Sequence, residues 1–149
     1  MLNTQIYKLQ YDQIGKIYNP FFGEEIIFDN QGWKHLCTKG DGKPRDKDTI
    51  FDRLESFIFV PELLTKMLSP KEYQLRKKHL LTHTFNVEYY TFVYAVMTKD
   101  IEFRLKVVIR QKSGEPKKFF SFFKMIHTKF EPNPTQKNTP IAGFSGNEC

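Results

Sequence analysis

The strongest constraint on the fold is an alternation. Ile101, Phe103, Leu105, Val107 and Ile109 fall on one side of an extended chain, and Glu102, Arg104, Lys106, Val108 and Arg110 fall on the other. A chain with one oily and one cationic face is a strand whose apolar side must be covered. Its neighbours fit the same sheet. Phe85 to Met97 is rich in Tyr, Phe and Val, as strands are. Thr98-Lys99-Asp100 and Ser113-Gly114-Glu115-Pro116 supply turns, and Lys117 to Ile126 completes a predicted meander of three antiparallel strands. In the last strand Phe119, Ser121 and Phe123 alternate with Phe120, Phe122 and Lys124, so both faces carry aromatic rings. A face wholly open to water rarely does. The cationic side is therefore expected to be a lined concavity containing Arg110, Lys106 and either Ser121 or Lys124.

The first half has a different period. Ile6, Leu9, Ile14 and Ile17 suggest a short helix within residues 4–17, followed by a turn at Asn19-Pro20-Phe21-Phe22-Gly23. Glu24 to Asp29 reads as a short strand. Asp29 or Asn30 can then cap a helix carrying Trp33 and His35. Residues 38–47 form a charged loop in which Arg45 is read as solvated. Asp48 is placed as the N-cap of a further helix, with Ile50, Leu54, Phe57 and Ile58 at helical spacing. Pro61 interrupts it, and the helical pattern resumes from Glu62 to Leu68 with Leu63, Leu64, Met67 and Leu68. The polar segment Lys71–Leu81 has no pattern that fixes its type. Helices first and sheet second is an α+β order. Residues 1–130 are read as one domain. Residues 131–149, with Pro, Asn, Thr, Gly and Ser and few core side chains, are read as a disordered tail.

Composition narrows the class. The chain of 149 residues is 40% hydrophobic with 15 phenylalanines, enough for one core without covalent staples. A formal charge of +6 favours anionic partners. Cys37 and Cys149 are too few for a disulfide framework and lack metal-ligand spacing, so reduced thiols and a cytoplasmic location are expected. Met1-Leu2-Asn3-Thr4 does not begin a signal peptide, and no run is long enough for a membrane span.

Cleaving RNA without a metal requires a base for the 2′-hydroxyl, a cation for the charged phosphorane and an acid for the leaving oxygen. Histidine suits either proton role near neutrality, and arginine matches phosphate oxygens. Of the four histidines, His35 is the best placed, at a helix start beside Gly32 and Trp33. His79, His83 and His127 read as ordinary surface, Arg53 as a helix arginine and Trp33 as core. Tyr89, Tyr90 and Tyr94 read as core residues whose hydroxyls reach the rim.

Set in order, these segments resemble one family. They are Tyr18-Asn19-Pro20, Ile26-Ile27-Phe28, Gly32-Trp33-Lys34-His35-Leu36, Arg53-Leu54, Val60-Pro61, Val107-Val108-Ile109-Arg110-Gln111 and Phe119-Phe120-Ser121. Over residues 18–126 the chain resembles the phage and mobile-element nucleases of the barnase, EndoU, colicin and RelE superfamily. The resemblance implies N-terminal helices packed on a roughly four-stranded antiparallel sheet. It implies a metal-independent endoribonuclease, often a toxin, that needs no cofactor, acts on RNA and can be neutralised by an antitoxin or immunity protein. The family's recurring polar positions fall on His35, Arg53, Arg110 and Ser121. Lys34, Lys106, Tyr94 and Lys124 are candidate substrate contacts. Relatives often carry a carboxylate near the place where Tyr94 stands, which leaves the general base unassigned or shifts that role to His35, with His35 acting as acid or base. Two other readings stand beside it: a non-catalytic module of the same fold binding RNA or protein, and an antitoxin or other partner-binding protein whose tail docks elsewhere.

Overall fold

The computed structural model describes residues 4–39, 42–97 and 101–128. Its elements run α1 (Gln5–Ile14), β1 (Lys16–Asn19), β2 (Glu24–Ile27), α2 (Asn30–Cys37), α3 (Lys47–Phe57), α4 (Val60–Leu63), β3 (Glu72–His79), β4 (Thr84–Met97), β5 (Ile101–Lys112) and β6 (Lys118–Thr128). The six strands form one sheet in the order β1-β2-β6-β5-β4-β3. The α+β class and the meander of β4, β5 and β6 are as the sequence predicts.

The roughly four-stranded antiparallel sheet is corrected to a six-stranded mixed one. Two strands were not legible, and the reason is the same for both. β1, expected as the end of a helix, is a four-residue strand with only Asn19 buried. β3, in the segment with no fixed type, has mostly exposed residues, with Glu72 and Arg76 half-buried. Neither strand buries a whole face, so neither shows the period of two that identifies a half-buried strand. The parallel contact is brief. β2 meets β6 at the single pair Ile27 and Lys118, where the Ile27 amide donates to the Lys117 carbonyl at 3.0 Å. The chain then leaves the sheet and turns into α2.

Side-chain chemistry sets the helix starts. Asp29 caps α2 by accepting from the Gly32 amide at 3.3 Å. For α3 the cap is Asp46, not Asp48. Its carboxylate accepts from the Thr49 amide at 2.9 Å and the Thr49 hydroxyl at 2.8 Å, leaving Asp48 in the first turn, where its charge suits the helix dipole. Pro61 sits in the first turn of α4, which ends after one turn, so the helix expected to run on to Leu68 stops at Leu63.

One face of the sheet meets the helices. Leu105, Val107 and Ile109 of β5, Phe92 and Tyr94 of β4, and Phe119 and Phe122 of β6 pack there with Tyr11, Leu36, Leu54 and Phe57. Phe28 stacks on Phe119 at 5.2 Å, and Phe57 meets both Phe119 and Phe122 edge-on. Tyr11 anchors α1 to the start of α2, its hydroxyl donating to the Asp29 carbonyl at 2.7 Å. The opposite face carries a smaller apolar cluster of Val87, Tyr89, Val108 and Phe120, flanked by Phe85 and Phe123. The region expected to be a disordered tail lies outside the described residues.

Candidate functional site

A β-bulge decides which residues of β6 face which way. Val108 pairs with Ser121, but Ile109 pairs with Phe119, so Phe120 is an extra residue opposite no partner. Phe119 and Phe122 point to the helices, while Phe120 and Ser121 point to the other side with Val108. The two options left open by simple alternation are thereby separated. Ser121 shares the face of Arg110, and Lys124 does not.

α2 lies along β6 because Gly32 permits it. A Cβ at Gly32 would collide with the Tyr11 hydroxyl and stand 2.7 Å from the Phe119 ring and 3.0 Å from the Phe119 carbonyl oxygen. This close approach splits the helix between the two faces. Leu36 enters the helix-side core, while His35 reaches Phe120 on the other side.

His35 and Arg110 meet at that ring. The imidazole centroid lies 4.4 Å from the Phe120 centroid, and the Arg110 guanidinium carbon lies 4.6 Å from the same point. Gln31 of α2 orients the guanidinium, its Oε1 accepting from Arg110 Nη2 at 2.8 Å. Tyr89 packs edge-on against Phe120 at 5.5 Å and carries the Arg76 guanidinium 5.6 Å from its own ring. This face therefore presents two aromatic rings with an arginine against each.

His35 is only 6% exposed. Burial, followed by the charges of Arg110, Arg45, Arg53 and Lys34, lowers its pKa to about 4. The imidazole is thus neutral at pH 7 and able to accept a proton. Once protonated among these cations it would be a strong acid.

The other predicted residues are distributed unevenly. Ser121 is buried opposite Val108, one same-face step along β5 from Arg110, or roughly 7 Å at strand rise. Lys106 lies on that face too, buried and paired with Glu72 at 3.4 Å. Lys34 is exposed on α2, its charge felt at His35. Arg53 is on the helix side. It is 7% exposed, lies 5.1 Å from the Phe122 ring, and donates to the Leu36 carbonyl at 3.3 Å and the His35 carbonyl at 3.4 Å. It thus holds the C-terminal turn of α2, and its pKa is lowered to about 9, first by burial and then by Arg45. Tyr94 and Lys124 also lie on the helix side. Tyr94 is buried with its hydroxyl unpartnered, its pKa raised by burial, and Lys124 binds Asp52 of α3 at 2.9 Å.

Gln31 stands in no sequence pattern, and Phe120 enters only as part of the alternation and of Phe119-Phe120-Ser121. The bulge that turns Phe120 outward leaves no mark in its composition, and Gln31 matters only through a long-range bond. Arg45, expected to be solvated, is half-buried, and its charge acts on His35 and Arg53. Among the described residues no group of three or more His, Cys, Asp and Glu side chains could hold a metal ion, and no helix is long and apolar enough to cross a membrane. Comparison with protein-family models, with curated proteins and with solved structures finds no match.

Proposed function

We propose that this protein is an endoribonuclease that cleaves RNA by attack of a 2′-hydroxyl on the adjacent phosphate. The observation that carries this reading is the meeting of His35 and Arg110 on one ring, from segments far apart in sequence. Neutral His35 takes the 2′-hydroxyl proton, and Arg110, oriented by Gln31, neutralises the phosphorane. The imidazolium so formed, disfavoured beside Arg110 and Arg45, gives its proton to solvent, and the leaving 5′-oxygen, apical on the opposite side of the phosphorane, takes a proton from water. The products are a 2′,3′-cyclic phosphate and a 5′-hydroxyl. Ser121 serves as a positioning donor, Lys34 contributes positive potential, Lys106 is held by Glu72 as a contact at the edge of the site, and Arg53 holds the turn that carries His35. No step uses a metal ion. A toxin role, with a neutralising protein partner, and a cytoplasmic location go with this reading through the family resemblance.

Incubation of labelled RNA with the protein in EDTA tests the reading, with fragments ending in cyclic phosphate as the expected result. Intact RNA in both the wild-type and His35→Ala reactions would remove the enzyme claim. A second reading is favoured by one observation, the near-complete enclosure of His35. In that case the same face binds RNA without cutting it. Salt-dependent binding of RNA that stays intact would support it.

A further inference from the structure

The β3–β4 hairpin outgrows the sheet. β4 and β5 stop pairing at Val87 and Lys112, and the Ser113 amide closes the end by donating to the Asn86 carbonyl at 3.0 Å. Beyond this point Lys78–Phe85 continues as a ribbon of two strands alone, projecting by roughly 10 Å. The Leu80 amide donates to the His83 carbonyl at 2.8 Å and the His83 amide to the Leu80 carbonyl at 3.3 Å, so Leu81 and Thr82 form the tip.

Its surface chemistry is specific. Leu80 is 58% exposed and Leu81 is fully exposed. Lys77 and Lys78 stand exposed on the preceding strand, and among the described residues β3 is an outer strand of the sheet. A two-stranded ribbon is marginally stable in water, and bare leucines at its tip add nothing to folding. What the arrangement provides is a projecting surface with an apolar end and a cationic stem.

We propose that this ribbon is a second RNA contact, engaging single-stranded RNA that continues past the cleavage point. The inference rests on the endoribonuclease reading and extends it. Register supplies the continuity. Lys78 and Arg76 of β3 lie on the Phe120 face, Arg76 pairs with Val87, Val87 pairs with Lys112, and Arg110 follows on that face, with Lys118 beyond it paired to Asp29 at 3.3 Å and Glu115 at 3.9 Å. Cations therefore run across the face from the ribbon to the candidate site, over about 14 Å at ordinary strand spacing. The cations track the backbone. The leucines pack against unstacked bases, as apolar wedges do at other nucleic-acid surfaces.

The test is binding of the full chain to 2′-O-methyl RNA, which has no hydroxyl for the attack, at two lengths: about 4 and about 16 nucleotides. The variants are Leu80→Ser/Leu81→Ser and Lys77→Gln/Lys78→Gln, all at exposed positions. Each is expected to weaken long-RNA binding about tenfold and to leave short-RNA binding unchanged. The lysine variant alone should lower the salt slope, by about 1.4, since each phosphate contact on a single strand contributes about 0.7. If wild type binds both RNAs and both variants bind the long one equally well, the ribbon inference is overturned and the site reading stands. If wild type binds neither RNA, the underlying reading falls as well. Sedimentation with phosphatidylserine vesicles, lost in the leucine variant and without long-RNA binding, would overturn the proposal in favour of a membrane surface.

Discussion

His35 and Arg110 are held against the same phenyl ring, at 4.4 Å and 4.6 Å from the centre of Phe120. One comes from a helix that lies along β6 and the other from a central strand. The arrangement holds a neutral imidazole beside a permanent cation, which suits proton transfer next to a phosphate. It also carries an energetic signature of its own.

The pH dependence of stability should reveal that signature. His35 has a pKa of about 4 in the fold, against about 6.5 in the unfolded chain. Between these values the unfolded state binds more protons, so stability is full above pH 6.5 and is lost as pH falls toward 4. The loss due to this group is about 3 kcal/mol. Urea denaturation at pH 7, 5.5 and 4.5 should show a steep decline in wild type and a shallower one in His35→Gln. Parallel declines would mean that His35 titrates normally.

Arg53→Ala should destabilise the fold by about 2–4 kcal/mol, because it leaves the carbonyls of His35 and Leu36 without their buried donor and opens space beside Phe122. Denaturant midpoints measure this. A loss under about 0.5 kcal/mol, the ordinary range for a surface substitution, would contradict the buried role.

Gly32→Ala tests how closely α2 approaches β6. The added methyl meets the Phe119 ring and backbone, and a strand backbone in the middle of paired β-structure cannot yield cheaply. A loss of about 1–3 kcal/mol is expected. Unchanged or increased thermal stability would show that the helix can shift away.

Arg110→Lys keeps the charge and loses the planar fork that Gln31 orients. Cleavage should fall at least about tenfold, or about 1.4 kcal/mol in the barrier, with stability nearly unchanged. Gln31→Ala should produce a smaller loss of the same kind. Equal cleavage by Arg110→Lys and wild type would show that only charge matters there.

The legible parts of this molecule were those written in local patterns. The alternation of β5 identified both of its faces, and the pair Asp29-Asn30 marked the start of α2, with Asp29 proving to be the cap. Other features depended on distant partners. The face shared by Ser121 and Arg110 was fixed by one extra residue in β6, and alternation alone gave Lys124 equal standing. Arg53 looked like an exposed helix residue because nothing near it in sequence shows that α2 ends against it. β3 was hidden because an outer strand with two wet faces has no hydrophobic period. The family resemblance selected His35, Arg53, Arg110 and Ser121 as a set. The fold brings His35, Arg110 and Ser121 to one face and leaves Arg53 behind the helix.

The most direct test is cleavage of labelled single-stranded RNA in EDTA by wild type, His35→Ala and Arg110→Ala, with products resolved by end-group chemistry. Wild type should yield fragments ending in 2′,3′-cyclic phosphate, and both variants should lose at least about a hundredfold in rate, the lower range for removing a proton-transfer group. RNA left intact by wild-type protein, or cut equally well by His35→Ala, would contradict the account.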